Sequence, residues 1–176
     1  MELFDAIHNR RSIRKYDPGP VAPDTIRDIL GAAMMAPSAG NQQPWQFIVV
    51  TDRGKLTRIQ EIHPYAAMAA RAPLGILVCG DLSLEKYPGF WVQDCAAAMQ
   101  NLLLAAHGSG LGAVWTGIYP LEERIRGFRT LFELPAQVIP LGFAVMGSPA
   151  QKLKSTNRYR AQRVHADTWG RPWDNQ

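Results

Sequence analysis

The sequence predicts an α+β fold, on three observations. Helical and strand-like segments succeed one another without the regular strand–helix alternation of a doubly wound sheet. Three short apolar runs, 47–50, 74–79 and 138–146, have the length and bounding turn residues of buried strands. No Gly-x-Gly-x-x-Gly links a strand to a helix: Gly108, Gly110 and Gly112 follow a helix and precede a strand, where they read as a helix stop and a tight turn.

Taken in order, residues 3–9 form a short helix that runs into a basic segment and is broken by Asp17-Pro18-Gly19-Pro20. Pro23-Asp24 opens a second helix, whose Ile26, Ile29, Leu30, Ala33 and Met34 recur at helical spacing until Pro37 stops it. A strand over 47–50 follows, then helices over 55–62 and 65–71 separated by Pro64, a strand over 74–79 and a loop over 81–89. Residues 90–107 form the longest helix, apolar nearly all round and ended by Gly108, as suits one packed centrally or against another subunit. A short strand over 113–115, an amphipathic helix over 121–132 closed by Pro135, and a last core strand over 138–146 complete the body. From Pro149 onward the chain is polar, basic and without period, and reads as an extended arm.

With 176 residues and 47% hydrophobic content the chain can bury one core, so a single domain over 1–176 is expected. Only 19% of residues are charged, and 96–106 has little polar relief. That is more apolar surface than a small monomer hides, which points to a subunit interface. No apolar run approaches the roughly 18 residues that span a bilayer, and the first residues carry no secretion pattern. Cys79 and Cys95 lack paired spacing or a nearby His, so neither a disulfide framework nor a metal site is expected, and a reducing cytoplasm fits. His8, His63, His107 and His165 show no ligand-like spacing.

The net charge is +4, and basic residues gather in two clusters, Arg10, Arg11, Arg14 and Lys15 near one end and Lys152, Lys154, Arg158, Arg160 and Arg163 near the other. They either converge on a small anion or are solvated termini, and charge alone favours the second. They are not interleaved with aromatics, which argues against nucleic acid. In Arg10-Arg11-Ser12-Ile13-Arg14, alternate residues of an extended chain would aim guanidinium and hydroxyl donors one way, a set suited to phosphate. The connection Ala36-Pro37-Ser38-Ala39-Gly40-Asn41-Gln42-Gln43-Pro44-Trp45 holds three carboxamides, more than a turn needs. Carboxamides both donate and accept, as the edge of a flavin's pyrimidine ring requires, although an ordinary polar loop would read the same way.

These two motifs at their spacing, with Gln93-Asp94-Cys95-Ala96-Ala97-Ala98-Met99-Gln100-Asn101, Gly110-Leu111-Gly112 and Leu141-Gly142-Phe143 in order, resemble the nitroreductase family of FMN-dependent NAD(P)H oxidoreductases over nearly the whole chain. The resemblance implies a sandwich with a central mixed, mostly antiparallel sheet flanked by helices, in an intertwined homodimer that binds FMN at its interface. Residues 149–176 would form an arm packing on the partner subunit, with Trp169 and Trp173 as anchors.

It implies further that Arg10, Arg11, Ser12 and Arg158 hold the phosphate and ribityl chain, and that Arg14 lies near N1 and O2, where negative charge collects on reduction. Asn41 and Gln43 would bond the pyrimidine edge, Pro37 and Ser38 would touch the cofactor through backbone, and Thr116 and Gly117 would present backbone N–H groups to N5 and O4. Thr156 stands where the family often has a basic residue, so Lys152 or Lys154 would take its place at the phosphate. The short 81–89 loop leaves an open pocket, with Tyr87, Phe90, Trp91 and Tyr119 as candidate walls or as packing residues. Turnover would be ping-pong from NAD(P)H to a nitroaromatic or quinone. The rivals are a non-catalytic flavin-binding or redox-sensing protein of the same fold and a nucleic-acid module using the basic ends.

Overall fold

The computed structural model describes residues 2–173. Its helices are α1 (Leu3–Asn9), α2 (Pro23–Met34), α3 (Arg53–Ile62), α4 (Trp91–Gly108) and α5 (Glu122–Phe132). Its strands are β1 (Trp45–Val50), β2 (Leu74–Asp81), β3 (Gly112–Gly117) and β4 (Val138–Gly147), in the order β1-β2-β4-β3. All three ladders are antiparallel, and among the described residues parallel pairing is limited to a bridge between Ser12 and Ala113. No helix among the described residues is long and apolar enough to cross a membrane.

Strand alternation builds two cores, one on each face of the sheet. Leu74, Ile76 and Val78 of β2 and Leu141, Ala144 and Met146 of β4 meet α2 and α4 on one face. Leu77 and Cys79 of β2 and Val138, Phe143 and Val145 of β4 meet α3 and α5 on the other. Burial on both faces is why the two central strands read as nearly continuous apolar runs rather than alternating ones. Both cysteines are buried, and Cys95 Sγ lies 3.4 Å from the Cys79 carbonyl. Burial pushes the Cys79 thiol up to about 12 and Cys95 higher still.

Several boundaries differ from the sequence expectation, among them β3, which runs over Gly112–Gly117 rather than 113–115, and three of them have a local reason. Residues 65–71 were expected as an α-helix, but the chain forms a 3-10 turn over Ala67–Arg71. Ala66, Ala69 and Ala72 are all fully buried, and a repeat of three places them on one face of that tighter helix. β1 begins at Trp45 because Trp45 already pairs with Gly80 and the Pro44 carbonyl accepts from Asp81 N–H at 2.8 Å. β2 runs on to Asp81 past a register shift at Val78/Cys79, opposite Pro140, which has no N–H to give the ladder. A further 3-10 turn, Ala161–Arg163, interrupts the arm, whose last three residues lie outside the described ones.

Gly75 sets the fit between sheet and helices, since a Cβ there would overlap the Phe143 ring. Phe143 in turn packs on Phe128 and Phe132, ring centres 5.8 and 6.5 Å away. Gly75→Ala is therefore expected to lower stability by about 2 kcal/mol in urea unfolding. Gly75→Ala combined with Phe143→Leu should show a favourable coupling, because the smaller side chain admits the methyl group; simple additivity would refute the clash.

Candidate active site

The segment that follows α1 is fixed from both sides. Ile13 N–H donates to the Ala113 carbonyl at 3.0 Å, and its side chain fills the space that Gly112 leaves, where a Cβ would lie 2.6 Å from Ile13 Cγ2. The Tyr16 hydroxyl reaches the carbonyls of Ile13 and Val145 at 2.6 and 3.0 Å, and burial pushes the phenol well above its ordinary range. Ala150 N–H donates to the Lys15 carbonyl and Asp17 N–H to that of Ser148, both at 2.9 Å, so the outgoing arm runs beside the incoming segment. The alternation expected of an extended chain is visible: Arg11 and Ile13 line one cavity of about 370 Å³, while Arg14 lines a separate cleft of about 490 Å³.

Arg10, the C-cap of α1, has Arg158 and Arg11 close by. Burial, then Arg158, then Arg11 push its guanidinium below the ordinary value. Arg158, 148 positions along the chain, is thus near enough to act on the charge of Arg10, and among the described residues neither forms an ion pair. Among the described residues the ion pairs are Arg27–Asp24 and Arg171–Asp167. Arg11 has a different occupation from its neighbours: it donates to the carbonyls of Lys154, His8 and Arg10 at 3.1, 3.0 and 2.9 Å, tying the arm to the end of α1. Lys152 lines the same cavity as Arg11, away from the Arg14 cleft.

The Arg14 cleft also takes in His63, Tyr65, Met68, Trp115, Thr116 and Gly117. It lies along the open edge of β3. The Ala113 carbonyl points outward to Ile13 and the Gly117 carbonyl outward to His63 and Arg124, so residues 113, 115 and 117 face the edge with both backbone groups. The N–H groups of Trp115 and Gly117 therefore face the cleft. Thr116, which also lines the cleft, pairs with Phe143 in β4, and its buried hydroxyl donates to the Phe143 carbonyl at 2.9 Å. A Cβ on Gly117 would meet nothing within 4 Å, so the backbone is approachable there.

The carboxamide loop lies elsewhere. It precedes β1, at the opposite edge of the sheet from β3, three strand spacings or roughly 14 Å away. Gly40, Asn41 and Gln43 all adopt left-handed backbone, with φ of 52°, 53° and 49°. Asn41 and Gln43 are exposed, Pro37 is exposed, and the Ser38 hydroxyl accepts from Gln43 N–H at 3.0 Å. Strain of this kind persists only where surroundings impose it. Here Gln42 imposes it: the one buried carboxamide donates to Asp94 at 2.6 Å and accepts from the N–H groups of Lys86 and Tyr87 at 2.8 and 3.1 Å. Asp94 also accepts from Ala39 N–H at 3.0 Å.

Sequence reasoning passed over Gln42, His63, Tyr65 and Arg124. Nothing marks Gln42 among its neighbours, whereas Asp94, a lone carboxylate on the apolar helix α4, was a legible signal. Of the wall candidates, Tyr87, Phe90 and Tyr119 are partly exposed outside this cleft. Trp91 belongs to the core, against Gly80 and edge-on to Tyr119 at 4.9 Å.

His63 is only 1% exposed. Its Nδ1 accepts from Tyr65 N–H at 3.2 Å, which leaves the proton on Nε2 to donate to the Gly117 carbonyl at 2.9 Å. Burial and then Arg124 push it below its ordinary value, partly opposed by backbone hydrogen bonds.

Comparison with known proteins agrees with this architecture. The Nitroreductase family model matches residues 7–73 and 59–148. A protein of Methanothermobacter thermautotrophicus, provisionally named NADH dehydrogenase/NAD(P)H nitroreductase, is 52% identical over 96% of this chain and 88% of its own. A solved Parabacteroides distasonis protein with the same provisional name is 42% identical, with a TM-score of 0.91 over 94% of this chain and 98% of its own. One from Desulfovibrio desulfuricans, provisionally described as a nitroreductase and solved with FMN, is 33% identical, with a TM-score of 0.82 over 94% and 96%.

Two outcomes follow from these contacts. Asp94→Asn sets an amide against the Gln42 amide and should cost about 1–3 kcal/mol, with faster hydrogen exchange at Lys86 and Tyr87; unchanged exchange would disprove the clamp. Because the folded state holds His63 neutral, its contribution is complete above the unfolded value of about 6.5 and is lost as pH falls through that value toward the lower folded one. The melting temperature should therefore drop more between pH 7 and 5 in the parent than in His63→Gln.

Proposed function

Because the chain belongs to the nitroreductase family, we propose that it is an FMN-dependent NAD(P)H oxidoreductase. The observation that carries the reading is that Arg158 lies near enough to Arg10 to act on its charge, with neither in an ion pair among the described residues. Such a cluster lacks compensation until an anion arrives, and a flavin's terminal phosphate is the anion that the neighbouring cleft suits. The donors present fit the group: cations for the phosphate, Arg14 in the cleft, and an outward N–H on Gly117 with open space around it.

FMN bound there would supply hydride transfer between NAD(P)H and an oxidant, which no side chain of the site can perform. The chain's own residues bind and bias. Arg10, Ser12 and Arg158 hold the phosphate and ribityl end, with Arg11 fastening the arm that brings Arg158 in. Arg14 opposes the negative charge that reduction places on the pyrimidine side of the ring. The Gly117 N–H, at the open edge of β3, would be a backbone donor to the ring of FMN held in the cleft. No general acid or base is required of the protein.

Pro37, Ser38, Asn41 and Gln43 sit at the far edge of the same sheet, so we propose that a second copy of the chain brings its loop to this cleft. The exposed apolar residues Leu3, Phe4 and Ile7 of α1, with Trp169 and Trp173 of the arm, suit such an intertwined homodimer. A single domain with a partner-embracing arm over 149–176 is part of the same reading. The oxidant is a small nitroaromatic or quinone that enters after the nicotinamide leaves, in ping-pong order.

Purified protein should be yellow and release FMN on denaturation, and anaerobic NADH or NADPH should bleach it. A protein that binds FMN but resists both donors would instead be a non-catalytic flavoprotein. Arg10→Ala and Arg158→Ala should each weaken FMN binding about ten- to a hundredfold by fluorescence titration, the worth of one charge-assisted phosphate contact. Unchanged affinity in both would refute the shared phosphate site.

A further inference from the structure

The Gly117 carbonyl accepts two side-chain hydrogen bonds, one from His63 Nε2 at 2.9 Å and one from Arg124 Nη1 at 2.8 Å. These donors come from different elements, the end of α3 and the start of α5, and neither is demanded by the sheet. They are also tied to each other through Tyr65: its N–H holds His63 Nδ1, and its ring lies 5.6 Å beneath the Arg124 guanidinium. His63, Tyr65 and Arg124 thus close a ring with the Gly117 carbonyl. Glycine is the residue whose backbone is least restrained by itself, and a Cβ on Gly117 would touch nothing, so packing does not hold it either. Beyond the β3–β4 pairing and the bond from Ile118 N–H to the Leu141 carbonyl at 3.1 Å, the restraint comes from the Gly117 carbonyl. His63, Arg124, Tyr65 and Arg14 all line the cleft that Gly117 faces, and no carboxylate lines it.

We propose that His63 and Arg124 are positioning residues that lock Gly117 so that its N–H stays aimed into the cleft, and that Arg124 adds a second cation, beside Arg14, which favours the reduced cofactor. The proposal rests on the flavin reading above. The lock itself is a property of the free chain: the Thr116–Phe143 pairing holds the peptide plane that carries the Gly117 N–H, and His63 and Arg124 hold the next plane through its carbonyl, so the backbone on both sides of Gly117 is held and its N–H stays aimed outward. The charge is a separate contribution, since a guanidinium in a cleft without carboxylates attracts whatever gains negative charge there.

The two parts have separate tests on the full-length protein. Without cofactor, the backbone order parameter of Gly117 should lie near the rigid value of about 0.85 and fall toward about 0.6 in His63→Leu and Arg124→Met. His63→Gln, which keeps an amide donor near the Nε2 position, should restore it. An unchanged order parameter in both disruptive variants overturns the lock. With FMN, Arg124→Met should weaken binding of reduced FMN about tenfold more than binding of oxidised FMN, and Arg124→Lys should recover part of that ratio. Equal weakening of both forms, or none, overturns the charge role. A parent protein that refuses FMN would sink the flavin reading while leaving the order-parameter result to stand or fall by itself.

Discussion

Everything at the candidate site depends on a short extended strip, residues 10–16, being held in a fixed parity against the edge of β3. The Ile13 N–H bonds the Ala113 carbonyl, Ile13 fills the space above Gly112, and the Tyr16 hydroxyl closes the far end on β4. Moving that strip by one residue would exchange its two faces. Arg11 would then stand where Arg10 and Arg14 now do, and the anchoring Ile13 would be turned toward the cation patch. Because the arm leaves the sheet alongside the same strip, its placement also decides where Arg158 arrives.

The strip explains a division of labour among like residues. Arg10, Arg11 and Arg14 are chemically identical, yet one sits in a cation patch, one bonds three backbone carbonyls, and one lines a cleft. A similar division occurs in the carboxamide loop, where Gln42 is buried and load is carried inward to Asp94, while Asn41 and Gln43 face out in left-handed backbone. In both motifs the residue that points inward sets the backbone that lets its neighbours point outward.

That pattern decides what the sequence could reveal. The double-sided burial of β2 and β4 was legible in their unbroken apolar runs, and α4 in its length and terminal glycine. The 65–71 segment was misread because alanines at every third position satisfy a 3-10 turn as well as one stripe of an α-helix. The functional motifs were legible as composition, but which member of each does what depends on strand parity and on tertiary partners such as Asp94. His63 and Arg124 were invisible for the same reason: they are 61 residues apart and meet only because α3 and α5 share one face of the sheet with the end of β3 above them.

The two cysteines carry a consequence for a protein that handles electrons. Both thiols are shut inside the cores flanking the sheet, protonated at any physiological pH, and Cys95 leans on the carbonyl of Cys79. Thiolate is the form that peroxide and alkylating agents attack. Neither sulfur lines the Arg14 cleft and both are held away from solvent as thiols, so the fold leaves sulfur chemistry out of the candidate site.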